Sequence, residues 1–338
     1  MIATTTMQSA GASRRTSDEA HKVLQIEGLT VGTDRADLVL DVNLDLAAGE
    51  TLCLVGESGC GKSQTCLAAM GLTTHPVRRK SGSVRFFNAE LTELTEHELS
   101  DIRGRDLAMI FQDASAALNP VQRVGDQVAE VLRVHRALSG RQARTRAVEL
   151  FEMVGIPQPQ RRVRAFPHEL SGGMCQRVMI AMALACRPRL IIADEATTAL
   201  DVTTQAQILR LLKTLQAETG AAMLFVTHDL GVVAEIADRV AVMYSGRIVE
   251  LAEADALFTA PQHPYTQGLL SCRLHVSANA PARLDAIEGT VPMPASRPQG
   301  CAYRSRCPRA GEICKRLPAL APAGSGQLAA CHFPGAAA

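Results

Sequence analysis

Apolar and polar positions alternate along the chain in two registers, and the change from one to the other marks its elements. Val23–Ile26 and Leu44–Leu46 carry period-two alternation, which predicts strands. Ala48-Gly49-Glu50 reads as a turn into Thr51–Val55, an apolar run short enough for a buried strand. From Val121 to Met153 apolar residues recur at helical spacing, with Arg133, Arg136, Arg141, Arg144 and Arg146 between them. That segment predicts a helical insertion with a solvated face, broken by Pro157 and Pro159. Two further buried strands, Leu190–Ala193 and Met223–Val226, are separated by a helical segment. Strands alternating with helices predict an α/β fold whose mostly parallel sheet is covered on both sides. From about His263 the pattern dissolves into Pro, Gly, Ala and Cys, which predicts a small, loop-rich second unit with too little apolar content for its own core. Residues 1–21, rich in Thr, Ser, Ala and charge, read as a flexible tail.

Composition narrows the function. A chain of 338 residues exceeds one small domain, and 35 Lys+Arg against 34 Asp+Glu argue against a dedicated nucleic-acid binder. No apolar run approaches the roughly 18 residues of a transmembrane helix. The first residues lack the apolar stretch of a secretory signal, so a cytosolic, soluble chain is expected. Of 10 Cys, Cys53, Cys60, Cys66, Cys175, Cys186 and Cys272 are scattered, whereas Cys301, Cys307, Cys314 and Cys331 gather near the end. In a reducing compartment that cluster suits metal ligation better than disulfides.

Candidate chemistry begins after the first buried run. Gly56-Glu57-Ser58-Gly59-Cys60-Gly61-Lys62-Ser63 fits GxxxxGK[ST], a loop whose glycines let successive N–H groups turn inward on phosphate oxygens. The helix expected from Gln64 to Met70 adds its positive N-terminal end. Lys62 supplies a point charge and Ser63 a hydroxyl for Mg²⁺, so Gly56, Ser58, Gly59, Cys60, Gly61, Lys62, Ser63 and Gln64 are the candidate nucleotide-binding residues. Leu190–Ala193 ends in Asp194 and Glu195: the first suits Mg²⁺, the second can orient and deprotonate an attacking water. Cys60 and Cys175 fall at expected helix N-termini, which would lower their thiol pKa and make alkylation of both a test of the site.

Between these elements stands Leu170-Ser171-Gly172-Gly173-Met174, followed by Cys175-Gln176-Arg177. Here the sequence resembles the ABC ATPase family, whose signature reads LSGGQ. The resemblance covers roughly residues 22 to 250. It implies a P-loop NTPase (RecA-like) core with an antiparallel β subdomain and a helical insertion at about 113–186, within an ATPase domain at 22–262. Gln112 in FQDASAALNP then resembles the Q-loop, a Mg²⁺ and water sensor, and Ala199-Leu200-Asp201 the D-loop. His228 in FVTHDL resembles the switch histidine that grips the γ-phosphate. By the same resemblance Ser171, Gly172 and Gly173 contact ATP held on an opposite cassette, and Asp113 to Gln122 is the candidate surface for the membrane partner. The family places an aromatic ring near residues 32 to 35 to stack on adenine; this chain reads Gly32-Thr33-Asp34-Arg35, a departure that would weaken adenine stacking.

GESGCGKSQT, LSGGMCQRVMIAMAL, HPYTQGLL and GCAYRSRCPRA further resemble the ATP-binding subunits of dipeptide/oligopeptide permeases, with 263–338 as their C-terminal extension. What this implies is ATP hydrolysis that powers peptide uptake from the cytoplasmic face of the plasma membrane. The expected partners are two transmembrane permease subunits, a second and non-identical ATPase subunit, and an extracytoplasmic substrate-binding protein. An importer of nickel or another small solute and a soluble, non-transport ABC ATPase are the alternatives. For Cys301, Cys307, Cys314 and Cys331 the resemblance points to a [4Fe–4S] cluster; tetrahedral Zn²⁺ and unligated thiols stay open. Arg304, Arg306, Arg309, Lys315 and Arg316 would offset a thiolate cluster, or simply form a solvated face.

Overall fold

The computed structural model describes residues 22–197, 201–272 and 287–335. The tail expected at residues 1–21 lies outside them, as do Ala199 and Leu200.

The elements run in chain order as β1 (Lys22–Gly32), β2 (Asp37–Ala47), β3 (Thr51–Val55), α1 (Lys62–Ala69), β4 (Arg78–Phe86), β5 (Ala89–Glu90), α2 (Glu96–Ile102) and β6 (Leu107–Ile110). The helical region follows: α3 (Ala114–Ala117), α4 (Val124–Arg136), α5 (Gly140–Met153), α6 (Pro159–Arg162) and α7 (Gly172–Leu184). Then come β7 (Leu190–Asp194), α8 (Val202–Thr219), β8 (Ala222–Thr227), α9 (Leu230–Ile236), β9 (Arg239–Tyr244) and β10 (Arg247–Glu253). The chain closes with α10 (Ala254–Thr259), α11 (Pro264–Ser271), β11 (Ala321–Pro322) and β12 (Leu328–Ala329).

Two sheets organise these elements. One is antiparallel, in the order β2-β1-β4-β5; the other runs β11-β12-β10-β9-β3-β8-β7-β6. Within the second, β9, β3, β8, β7 and β6 are mutually parallel. Alternation on its central strands explains their unbroken apolar runs. Cys53 and Val55 of β3 face the core shared with the helical region, while Leu52 and Leu54 face the core shared with the antiparallel sheet. Met223 and Phe225 of β8 divide from Leu224 and Val226 in the same way.

The helical run from Val121 to Met153 is two helices. Ala137 takes a left-handed conformation (φ 51°), and Ser139 restarts the chain with a capping box closed by Gln142. Downstream of His263 the structure is more ordered than the sequence pattern implies. His263 caps α11, β12 pairs antiparallel with β10, and Tyr303 is buried in the same core as β3 and β8. The Cys-rich extension therefore stabilises itself by joining the cassette's sheet and core.

Candidate nucleotide site

Four parallel strands deliver the candidate residues to one edge of the sheet, beyond their C-terminal ends, where α/β proteins place ligands. The loop after β3 reaches α1 through glycines that no other residue could replace easily. Gly56 has φ 153°, and a Cβ there would lie 2.2 Å from Met243 O; Gly61 has φ 112°, with Met243 Cε 2.9 Å from the same position. Lys62 is buried, and its Nζ donates to Gly56 O (2.8 Å) and Glu57 O (3.1 Å). Ser58 and Gly59 face solvent, whereas the Cys60 side chain is fully buried.

The end of β7 faces this loop. Ser63 Oγ donates to Asp194 Oδ1 at 3.0 Å, bringing together two oxygen ligands suited to Mg²⁺. Burial, reinforced by the adjacent Glu195, pushes the Asp194 carboxyl above its ordinary pKa, although Ser63 and Lys62 pull the other way. Glu195 sits at a left-handed position (φ 48°) with its side chain only 11% exposed. Gln112 Nε2, after β6, donates to Glu195 Oε2 at 2.9 Å, and His228 Nδ1, after β8, lies 3.5 Å from Glu195 Oε1. Three strands thus converge on one carboxylate.

The signature lies apart from this group. Ser171 caps α7, accepting from Met174 N, and Ser171 and Gly172 are exposed with open space where a Cβ of Gly172 would sit. Its helix is nevertheless tied to the acidic strand, because buried Gln176 donates to Ala196 O at 2.7 Å. Asp201 caps α8 through Thr204 N, and its carboxyl is held below its ordinary pKa by that hydrogen bond. Gln64 lies within α1, half-buried.

Residues 39–198 match the ABC transporter family, and residues 249–314 match the C-terminal region of oligopeptide/dipeptide transporters. The dipeptide transport ATP-binding protein DppD of Bacillus subtilis (strain 168) is 47% identical over 303 residues, 88% of this chain and 90% of that protein. The oligopeptide transport ATP-binding protein OppD of Salmonella typhimurium is 46% identical over 319 residues, 93% of this chain and 95% of that protein. This chain belongs to the ABC transporter family. Among solved structures, the dimeric post-hydrolysis state of the ATP-binding cassette MJ0796 bound to ADP and Pi resembles this ABC cassette with TM-score 0.63. It is 31% identical and covers 68% of this chain and 98% of its own.

Three expectations about this ABC cassette need correction or qualification. Cys60 and Cys175 are 0% and 2% exposed, and burial pushes both thiols above their ordinary pKa, so neither offers a reactive thiolate. Arg306 is neither solvated nor turned to the thiols: its guanidinium makes a bidentate pair with Glu57 of the phosphate loop. The sequence carried no signal for that contact.

The third concerns the cysteines. Cys301, Cys307, Cys314 and Cys331 line one small cavity together with His263 and Arg309. Cys301 N donates to Cys314 O at 2.9 Å, which brings two of their loops together. Burial pushes the Cys301 thiol up, and its three companions push it further. Among the described residues, however, no group of three or more His, Cys, Asp or Glu is arranged to hold a metal ion. The donor set suits a thiolate-bound metal, while its spacing does not form a closed site.

Proposed function

We propose that this chain is the ATP-hydrolysing subunit of a membrane importer of dipeptides or oligopeptides. The convergence of Gln112, Glu195 and His228 beside the Ser63–Asp194 pair is the observation that carries the reading. Gly56, Ser58, Gly59, Cys60, Gly61, Lys62, Ser63 and Gln64 bind the triphosphate, mostly through loop N–H groups. Ser63, Gln112 and Asp194 hold Mg²⁺, which when bound neutralises charge on the β- and γ-phosphates. Glu195 accepts the proton of the attacking water, and His228, 54% exposed, is free to turn onto the γ-phosphate. Ser171, Gly172, Gly173 and Asp201 serve the nucleotide of a partner cassette, which fits the outward exposure of the signature. Binding across two cassettes favours their closed pairing, and loss of the γ-phosphate releases it.

The matched C-terminal region and the relatives' names support peptides over nickel or a non-transport role. Two permease subunits, a related second cassette and an extracytoplasmic binding protein complete the assembly. As the ATPase subunit of an importer the chain attaches peripherally, at the cytoplasmic face; no helix among the described residues is long and apolar enough to cross a membrane. Asp113–Gln122 forms the contact with the permease. Its loop is latched by buried Gln127, which bonds Asn119 N, Asn119 O and Gln122 O, and it leaves Val121 80% exposed. Residues 22–262 act as the ATPase domain and 263–338 as the extension.

In that extension Cys301, Cys307, Cys314 and Cys331 are the ligands of a [4Fe–4S] cluster. The shared cavity and the all-thiol donor set suit either this cluster or tetrahedral Zn²⁺, and the resemblance to peptide-permease subunits is what favours the cluster. Ligation would draw the four thiols closer and remove the cost of clustering thiolates. One preparation tests both parts: the chain purified anaerobically with its membrane partners. The expected result is peptide-stimulated ATP turnover with iron and sulfide in equal amounts; unstimulated turnover contradicts the importer, and zinc without sulfide contradicts the cluster.

A further inference from the structure

The phosphate loop is held from outside the cassette's own motifs. Glu57, its second residue, is the loop's one carboxylate, and it is spanned on both its backbone and its side chain by the C-terminal segment. Tyr265 Oη of α11 accepts from Glu57 N at 2.8 Å, which turns that N–H away from the cradle. Arg306 Nη1 and Nη2 donate to Glu57 Oε2 and Oε1 at 2.7 and 3.0 Å, with the guanidinium side chain only 3% exposed.

The fork itself is fully committed. Nε donates to Glu288 O (2.8 Å), Nη1 also to Tyr244 Oη (3.4 Å), and Nη2 also to Ile287 O (3.1 Å). All five N–H donors of the guanidinium therefore have acceptors, a geometry that lysine cannot copy. Beneath it, Tyr244, Tyr265 and Tyr303 pack with ring centroids 4.6 to 5.4 Å apart. They are the only tyrosines in the chain, and Arg306 lies over the rings of Tyr244 and Tyr303, 5.9 and 6.0 Å from their centroids.

We infer that Arg306 is a positioning residue for Mg-ATP: it neutralises Glu57 and fixes the outer end of the phosphate loop from within the Cys-rich extension. Without this fork, a free carboxylate would stand next to the four negative charges of a triphosphate. The loop between Gly56 and Gly61, whose three glycines take positive φ, would also lose its outer anchor. The inference rests on the nucleotide reading proposed above.

The test measures equilibrium binding of a fluorescent ATP analogue with Mg²⁺ to the full chain at low salt. Arg306→Met is expected to raise Kd about tenfold, and Arg306→Lys, which restores charge without the fork, by less. Adding Glu57→Gln to Arg306→Met is expected to return Kd to within about threefold of the original, because the unpaired charge is then gone. A role in folding alone predicts no such rescue. A folded Arg306→Met protein with unchanged Kd overturns the inference, and so does a double variant no better than the single one. Should Arg306→Met not fold, Arg306→Lys carries the test, and its unchanged Kd overturns the inference equally. An unmodified chain that binds no Mg-ATP refutes the nucleotide reading itself, a result distinct from either of these.

Discussion

Lys62 in the free chain rests its ammonium on the carbonyls of Gly56 and Glu57, the loop's own acceptors. A buried cation needs such partners, and a triphosphate supplies better ones, so binding exchanges one set of oxygens for another at little cost in exposure. Adenine fares less well. Arg35 stands exposed in the β1–β2 turn, where its N–H donates to Thr33 Oγ1, and it offers no ring. Stacking contributes about 0.5–1.5 kcal/mol. Arg35→Tyr is therefore expected to tighten Mg-ATP binding about two- to tenfold. Titration with ATP reads it, and an unchanged Kd would mean that adenine lies elsewhere. Residues of the loop and the signature were legible in sequence because each is a local string whose spacing states its chemistry. Glu57 with Arg306 was not: the partners are separated by 249 positions, and neither residue type is unusual where it stands.

Among elements, α11 shows how the extension is fastened. Its cap His263 accepts Tyr265 N on Nδ1 at 3.0 Å, and its own N–H donates to the buried carboxylate of Glu250 on β10. Burial pushes the His263 pKa down to about 3, so the folded chain needs this ring neutral. Its contribution is complete above the unfolded value near 6.5 and is lost as pH falls below it. Between pH 7 and pH 5 the loss is expected to be about 2 kcal/mol. Denaturant titrations of the original chain and of His263→Asn measure it by difference, which cancels the opposite trend of Glu250, whose carboxyl burial pushes up. Equal pH slopes for the two proteins would place the ring in solvent. The pattern of the strands was readable because β3, β7 and β8 are buried on both faces; α11 and β12 were not, since eight and two residues carry too little periodicity to announce themselves.

For the whole molecule, the division of labour follows the sheet. Strands β3, β6, β7 and β8 aim the phosphate loop, Gln112, Asp194–Glu195 and His228 at a common edge, and the helical region carries the signature outward. In the proposed reading the chain carries both halves of a nucleotide clasp, the phosphate loop and an exposed signature, and a second cassette closes it. Gln176 on Ala196 O ties the signature helix to the end of the acidic strand within one chain. That need for a partner was legible only through the family's motifs, because no single-chain pattern states it. Occlusion of labelled Mg-ATP by the Glu195→Gln variant in the assembled transporter tests this account most directly. It predicts ATP retained between paired cassettes with turnover reduced at least about 100-fold. Hydrolysis near the original rate, with nucleotide exchanging freely, would contradict it.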